Sequence, residues 1–393
     1  YAQVFELIRP ELEAKNAPIE ELFSKSQIGF GQSINAREPR SLDGMHKLTL
    51  QVENIHQETI DSVVITFSNL NGKTLPFKAG QYVTITKLLQ GEAVTRCYSI
   101  CESTGSGKLS IGVKRVENGK LSTYLNDELQ EGDELTVAGP FGDFIYSADK
   151  TKSVSLLTLI SGGSGITPTL SIAKTALEEQ SQVNVHLIYA NRTIYDVMFL
   201  RQLNKLLLDY PERFSITNIF TTPHGTWTGE SGYLNQEKLL RILDNHSASE
   251  AAKKKGQYFI CGPAVIKNIA VKTLLESEIN RSHIFIEEFT QAAPKPEGPV
   301  HQVNIIMANG VSHQLNVAEN QTVLQAASQE GVKIPHACGV GQCGCCMMQV
   351  TQGKSELISD ETPGLLPGEQ ARGLTLACLC RPKSALNLTE NKS

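Results

Sequence analysis

No apolar run in these 393 residues reaches the roughly 18–20 residues that a membrane-crossing helix needs. Positive charge is also short: 36 lysines and arginines face 41 aspartates and glutamates, a net charge of −5. That balance excludes a general nucleic-acid binder, which needs a basic face. The first residues lack a basic stretch followed by an apolar one, so the expected location is cytoplasmic rather than secreted. A second close cysteine pair is missing as well. Zinc sites usually draw on two such pairs, or on pairs mixed with histidine, and here Cys343–Cys346 stands alone. Nine cysteines, an odd number in a long chain, do not suit a disulfide scaffold either. The remaining composition, 40% hydrophobic and 20% charged, is that of an ordinary soluble globular protein with roughly two to four domains.

The cysteines that are present are unevenly arranged. Cys338 is followed after four residues by Cys343, after two more by Cys346, and far downstream by Cys378. This is the plant-type [2Fe–2S] spacing. Two irons need four thiolates in a small volume; one tight loop supplies three and a returning strand end the fourth. Cys345 and Cys380 are read as non-ligands. Gly339, Gly341 and Gly344 let the loop curl and leave backbone N–H groups free to point at the sulfurs, which raises the reduction potential. A one-electron carrier is therefore expected. The rim from Ala337 to Gly344 is expected to be exposed and to receive a partner.

The chain divides by pattern. Residues 1–44 form an acidic N-terminal extension, with Val4, Ile8 and Leu12 on one helical face and an extended connection from Gln27 to Arg40. Residues 45–150 alternate with period two (Leu48, Leu50, Val52; Val63, Ile65, Phe67; Leu109, Ile111, Val113), with a hairpin signal at Asn71-Gly72. They predict an antiparallel β-barrel. Residues 151–291 alternate strands and helices: strand 153–160, helix 168–180 with Pro168 first, strand 183–190, helix 196–209, then strands 214–221, 257–261 and 283–289. This predicts an α/β domain with a doubly wound parallel sheet. Residues 292–299, with three prolines and one glycine, predict a semi-rigid linker. In 300–393 two strands meet near Asn309-Gly310, and a short helix between Asn320 and Gly331 precedes the cysteine loop.

Three further motifs carry chemistry. Arg96-Cys-Tyr98-Ser99 ends a barrel strand. A flavin needs a cation for its phosphate, an aromatic plane for its ring and a donor near N5, and Arg96, Tyr98 and Ser99 supply these types. Downstream, a segment headed by Lys114 leads through a glycine turn to Ser122 and Thr123 at a helix start, an anion site. Gly162-Gly163-Ser-Gly165-Ile-Thr167-Pro168 joins the first parallel strand to its helix, where glycines admit a phosphate to the backbone. Cys261-Gly262-Pro263 ends a later strand, where a nicotinamide ring would lie.

In that order and spacing, RxYS, GGxGxTP and CGP resemble the ferredoxin–NADP reductase superfamily, and residues 300–393 resemble a plant-type ferredoxin. In ferredoxins the fourth ligand stands three before an Arg-Pro pair, here Arg381-Pro382, which selects Cys378. The whole chain resembles the three-cofactor reductases of bacterial oxygenases and desaturases, such as those of phenylacetyl-CoA epoxidase and ketosteroid hydroxylase systems. The resemblance implies a β-grasp (α+β) C-terminal domain. It also implies FAD in preference to FMN, with Arg96, Tyr98, Ser99, Lys114, Ser122 and Thr123 at the flavin and Phe289 near its ring. Gly162, Gly163, Gly165, Thr167, Pro168, Gly262 and Pro263 then face NADPH or NADH. Ser99 and Cys261 border the hydride transfer, and the metal ligands are Cys338, Cys343, Cys346 and Cys378. Arg192, after the second parallel strand, is placed to accept a 2′-phosphate, which would favour NADPH. The implied partner is an oxygenase, hydroxylase or desaturase. Alternatives are another acceptor, such as a hybrid-cluster protein, or a redox-sensing flavin/iron–sulfur module.

Overall fold

The computed structural model describes residues 46–68, 75–147, 155–247, 249–287, 289, 294–359 and 362–390. The extension 1–44, the Asn71-Gly72 turn and the first linker residues lie outside the described residues.

The first unit contains β1 (His46–Thr59), β2 (Ser62–Phe67), β3 (Tyr82–Leu89), β4 (Glu92–Ser99), β5 (Leu109–Lys114), α1 (Lys120–Asp127) and β6 (Glu134–Phe141). The strands pair antiparallel in the order β4-β3-β6-β1-β2-β5. An antiparallel bridge from Ile100, just past β4, to Ile111 of β5 brings the two edge strands together as a barrel. The inward side of the period-two pattern (Leu50, Val52, Val63, Ile65, Phe67, Ile111, Val113) fills the interior with Val83, Ile85 and Val137. Alternation puts these side chains on one face because successive strand residues point oppositely.

The second unit is a parallel sheet: β7 (Leu156–Gly162), β8 (Asn184–Asn191), β9 (Phe214–Phe220), the short β10 (Glu230–Ser231), β11 (Gln257–Cys261) and β12 (Ile284–Glu287), in the order β10-β9-β8-β7-β11-β12. Its helices are α2 (Ile166–Glu179), α3 (Leu200–Asp209), α4 (Gln236–His246), α5 (Glu250–Lys255) and α6 (Ala264–Glu276). Two cores, one on each face, make the sheet doubly wound. The chain reverses its direction across the sheet between β7 and β11, and ligands of such sheets bind at that crevice. Two boundaries differ from expectation. Helix α2 begins at Ile166 after a 3-10 turn at Gly163–Gly165, so Pro168 is its third residue, not its first. Proline is tolerated there because first-turn N–H groups have no intrahelical acceptor. The helix expected from residue 196 starts only at Leu200; Asp196 belongs to a separate 3-10 turn that it caps through Thr193.

The third unit begins with β13 (Val300–Ile306) and β14 (Ser312–Ala318), a hairpin with Gly310 at φ +82° in its turn. Then come α7 (Val323–Gln329), β15 (Met347–Gln352), β16 (Ser355–Leu357), α8 (Pro367–Ala371), β17 (Leu374–Leu376), β18 (Cys380–Pro382) and β19 (Leu386–Glu390). The main sheet, β14-β13-β19-β15-β17, is mixed, and α7 packs on it, the α+β arrangement expected. The described end of the linker is not free. Asn320 accepts from Glu297 N at 2.9 Å and donates to Lys295 O at 2.8 Å. Residues 295–299 are thus fastened to the third unit. Among the described residues no helix is long and apolar enough to cross a membrane.

Candidate functional site

The three units meet where their strand ends converge. Tyr82 and Phe141 of the barrel, Cys97 of β4, and Ala337, Cys338, Val340 and Cys343 of the cysteine loop form one buried apolar cluster. Phe289 packs against this cluster and against the nucleotide-unit core.

β4 supplies the first motif. Arg96 and Tyr98 lie on one side and Cys97 and Ser99 on the other, as strand alternation requires. Arg96 is half-buried, and its Nη1 donates to Thr95 O at 2.7 Å. The Ser99 hydroxyl is buried and has no hydrogen-bond partner among the described residues. A buried hydroxyl is costly to leave unpaired, so this orphan fits a site completed by a bound acceptor, as a flavin ring nitrogen would be. Two expected flavin contacts are engaged otherwise. Ser122, third in α1 rather than at its cap, accepts from Val116 N at 3.0 Å and donates to Gly119 O at 3.2 Å. It shapes the loop before the helix, which leaves backbone N–H groups as the donors for an anion there. Lys114 is paired with Asp61 at 3.2 Å.

The second and third motifs touch each other. A Cβ on Gly165 would lie 2.2 Å from Cys261 O, and one on Gly162 would lie 2.5 Å from Ile266 and 2.8 Å from Pro263. Gly262 adopts φ +148° against Gly162 N. These glycines seat the GGxGxTP turn on the CGP turn, a reason that the sequence taken alone does not reveal. Within the motif, only Gly163 (φ +51°) faces open space, and its carbonyl is fixed by a 3.0 Å bond from Tyr189 Oη. Thr167 is turned inward: its hydroxyl donates to Ser164 O at 2.9 Å, and its methyl would meet a Cβ at Gly112. Arg192 is not an open cation; Asp196 holds it at 3.2 Å. Beside it, the buried Asn191 Nδ2 has no partner among the described residues at the carboxyl end of β8, a donor suited to a nucleotide and absent from the expected set.

Cys261 is fully buried, and burial, then Glu287, pushes its thiol well above the ordinary range, so it is a neutral packing group. Glu287, its β12 neighbour in register, is itself buried. Desolvation first, then Asp143 and Cys338, hold its carboxyl well above the usual carboxylate range. Nothing in the sequence pattern singles out this acid, because only the sheet register places it beside Cys261.

In the cysteine loop, four backbone N–H groups point at sulfur: those of Val340, Gln342 and Cys343 at Cys338 Sγ, and that of Cys338 at Cys343 Sγ, each at 3.4 Å. The donors are not the glycines. The glycines bend the loop (φ +70°, +78° and +72° at 339, 341 and 344) so that their neighbours point inward. Cys338 lies beside Cys343, Cys343 also beside Cys345, and Cys346 beside Cys378. Among the described residues no three ligating side chains gather round one ion position. Cys380 lies instead beside Thr375 and Ser355. The expected exposed rim is mostly buried: Ala337, Cys338, Val340, Gln342 and Cys343 lie under the barrel, and only Gly339, Gly344 and Cys345 stay partly open.

Known proteins share this layout. Residues 49–146 match the oxidoreductase FAD-binding domain, 159–272 the oxidoreductase NAD-binding domain and 306–383 the 2Fe-2S iron-sulfur cluster binding domain. One of the subunits of 1,2-phenylacetyl-CoA epoxidase from Escherichia coli (strain K12) is 31% identical over 348 residues, 86% of this chain and 95% of that protein. The reductase subunit of glycine betaine monooxygenase from Pseudomonas aeruginosa (strain UCBPP-PA14) is 32% identical over 350 residues, 83% of this chain and 91% of that one. The solved structure of phthalate dioxygenase reductase superposes with a TM-score of 0.53 at 23% identity, covering 88% of this chain and 98% of that one. With the barrel, the doubly wound sheet and the α+β unit that carries the cysteine loop, these matches decide the family: the chain belongs to the ferredoxin–NADP reductase superfamily of FAD- and NAD(P)H-dependent oxidoreductases that carry a C-terminal 2Fe–2S domain.

Proposed function

We propose that this chain is the cytoplasmic reductase component of an oxygenase, hydroxylase or desaturase system, with Cys338, Cys343, Cys346 and Cys378 as the cluster ligands. The observation that carries the reading is the single junction at which the flavin strand, the nucleotide sheet and the cysteine loop meet. A flavin held there would supply hydride acceptance from a nicotinamide, and an iron–sulfur cluster would take its two electrons one at a time while the proton goes to solvent. Ser99 offers its unpaired hydroxyl to the flavin, and Arg96, with Nη1 held by Thr95 O, offers the rest of its guanidinium to the phosphate. Cys261 and Phe289 exclude water at the transfer point. Asn191 donates to the nucleotide on β8. Because Asp196 already neutralises Arg192, NADH is favoured over NADPH. The epoxidase and monooxygenase systems to which the relatives belong support an oxygenase-type partner.

The test is anaerobic titration of the holoenzyme with NADH and with NADPH, followed by visible absorbance and electron paramagnetic resonance. Flavin bleaching and a reduced-cluster signal are both expected, at lower NADH than NADPH. Flavin bleaching with no cluster signal at any dose would sink the relay.

A further inference from the structure

Gln342 is a polar side chain in an otherwise apolar seam. It sits beside Cys343 and is 8% exposed. A primary amide has a carbonyl to accept and an NH2 to donate, and burying either unpaired is costly. The barrel meets both ends. Tyr82 Oη donates to Gln342 Oε1 at 2.9 Å, and Gln342 Nε2 donates to Asp143 Oδ2 at 2.6 Å. Tyr82 heads β3, in register with Ser99, and Asp143 lies just past β6. The apolar contacts around it are non-directional and would allow the loop to slide on the barrel. The two hydrogen bonds have direction and fix one register.

We propose that Gln342 is a latch that docks the cysteine loop on the flavin barrel, by fitting its amide between the Tyr82 hydroxyl and the Asp143 carboxylate, and so holds Cys338 and Cys343 against Cys97 of the flavin strand. The choice of residue is narrow. Glutamate would set a second carboxylate against Asp143, and leucine would offer neither the Tyr82 hydroxyl nor the Asp143 carboxylate a hydrogen bond. Gln342 is a positioning residue: its side chain bonds neither the orphan hydroxyl of Ser99 nor the carboxyl ends of the nucleotide sheet. Docking itself does not depend on what the loop binds; the effect on electron relay rests on the function proposed above.

Two buried cysteines outside the ligand set report on the latch. Cys97 lies in the seam under the loop, whereas Cys101 lies in the core between barrel and nucleotide sheet. The flavin- and cluster-loaded full chain is treated with N-ethylmaleimide, and alkylation at each cysteine is followed by mass spectrometry. Single-turnover flavin-to-cluster transfer and the paramagnetic signal of the cluster are recorded in parallel. Gln342→Ala and Gln342→Glu are expected to speed alkylation of Cys97 about tenfold or more, to leave Cys101 protected, and to slow the transfer about tenfold. Tyr82→Phe and Asp143→Ala break the same bonds from the barrel side without altering the loop, and are expected to expose Cys97 in the same direction even where a Gln342 variant fails to hold its cluster. Cys97 as protected as in the unaltered chain in both barrel-side variants would overturn the latch. Cys97 exposed with transfer unchanged would uphold the latch and overturn the loop's part in the relay.

Discussion

At the scale of single residues, the site separates groups whose type decides their role from groups whose neighbours decide it. Cys378 and Cys380 are both buried thiols, two residues apart, yet Cys378 lies beside Cys346 while Cys380 lies beside Thr375 and Ser355. Cys378→Ser is expected to abolish the cluster's visible and paramagnetic signals, and Cys380→Ser to retain them. Ser99→Ala removes one buried donor, worth about 1–3 kcal/mol when its partner is present. Flavin reduction by NADH in rapid-mixing experiments should slow by about ten- to a hundredfold, with the cluster intact. His186 shows a residue-scale effect on stability. Its ring is buried, stacks on His246 at 3.6 Å and bonds Thr217 at 2.9 Å. Burial first, then His246, lowers its pKa to about 3. The folded state therefore keeps it neutral where the unfolded chain takes up a proton near its ordinary value of about 6.5. Its contribution is fully present above that value and is lost as pH falls towards 3. Urea unfolding should show His186→Gln losing less stability than the unaltered chain between about pH 7 and 5.5, by about 1 kcal/mol.

At the scale of elements, glycine positions distinguish packing from ligand access. Gly165→Ala drives a methyl into the Cys261 carbonyl and should destabilise the nucleotide unit by about 1–3 kcal/mol. Gly163→Ala meets no neighbour and strains only its φ of +51°, a cost of about 1–2 kcal/mol. Of the two, Gly163→Ala is expected to raise the NADH dissociation constant more than it lowers the thermal midpoint, and Gly165→Ala the reverse. The elements themselves are largely legible in the sequence. Period-two runs mark β1, β2 and β5, the apolar run before GGxGxTP marks β7, and the turn at Asn309-Gly310 joins β13 to β14 as expected. The misplaced boundaries have local causes. Pro168 reads as a first position, whereas the preceding 3-10 turn starts the helix earlier; Asp196 reads into a helix because its capping contact with Thr193 has no periodic signature.

At the scale of the molecule, three units are joined by two seams. Barrel residues Phe144 and Tyr146 pack into the nucleotide-sheet core, and Tyr82, Cys97 and Phe141 pack against the cysteine loop. Tethering and docking then act together on the relay. Effective concentration falls with about the −3/2 power of linker length. Doubling the 292–299 segment with glycine and serine should therefore slow flavin-to-cluster transfer only about threefold in single-turnover measurements, less than breaking the Gln342 bonds. The ligand spacing, the order of the flavin, nucleotide and cluster motifs and the class of each unit are written in local sequence, because spacing along a loop and side-chain periodicity are short-range properties. What touches what across the units is not. That Gly162 and Gly165 serve the contact with Cys261–Pro263, that Glu287 lies beside Cys261, and that the loop rim is covered by the barrel and held through Gln342 all depend on strand register and on partners up to 260 residues away. Such contacts leave no periodic mark on the chain, and only the tertiary structure decides them.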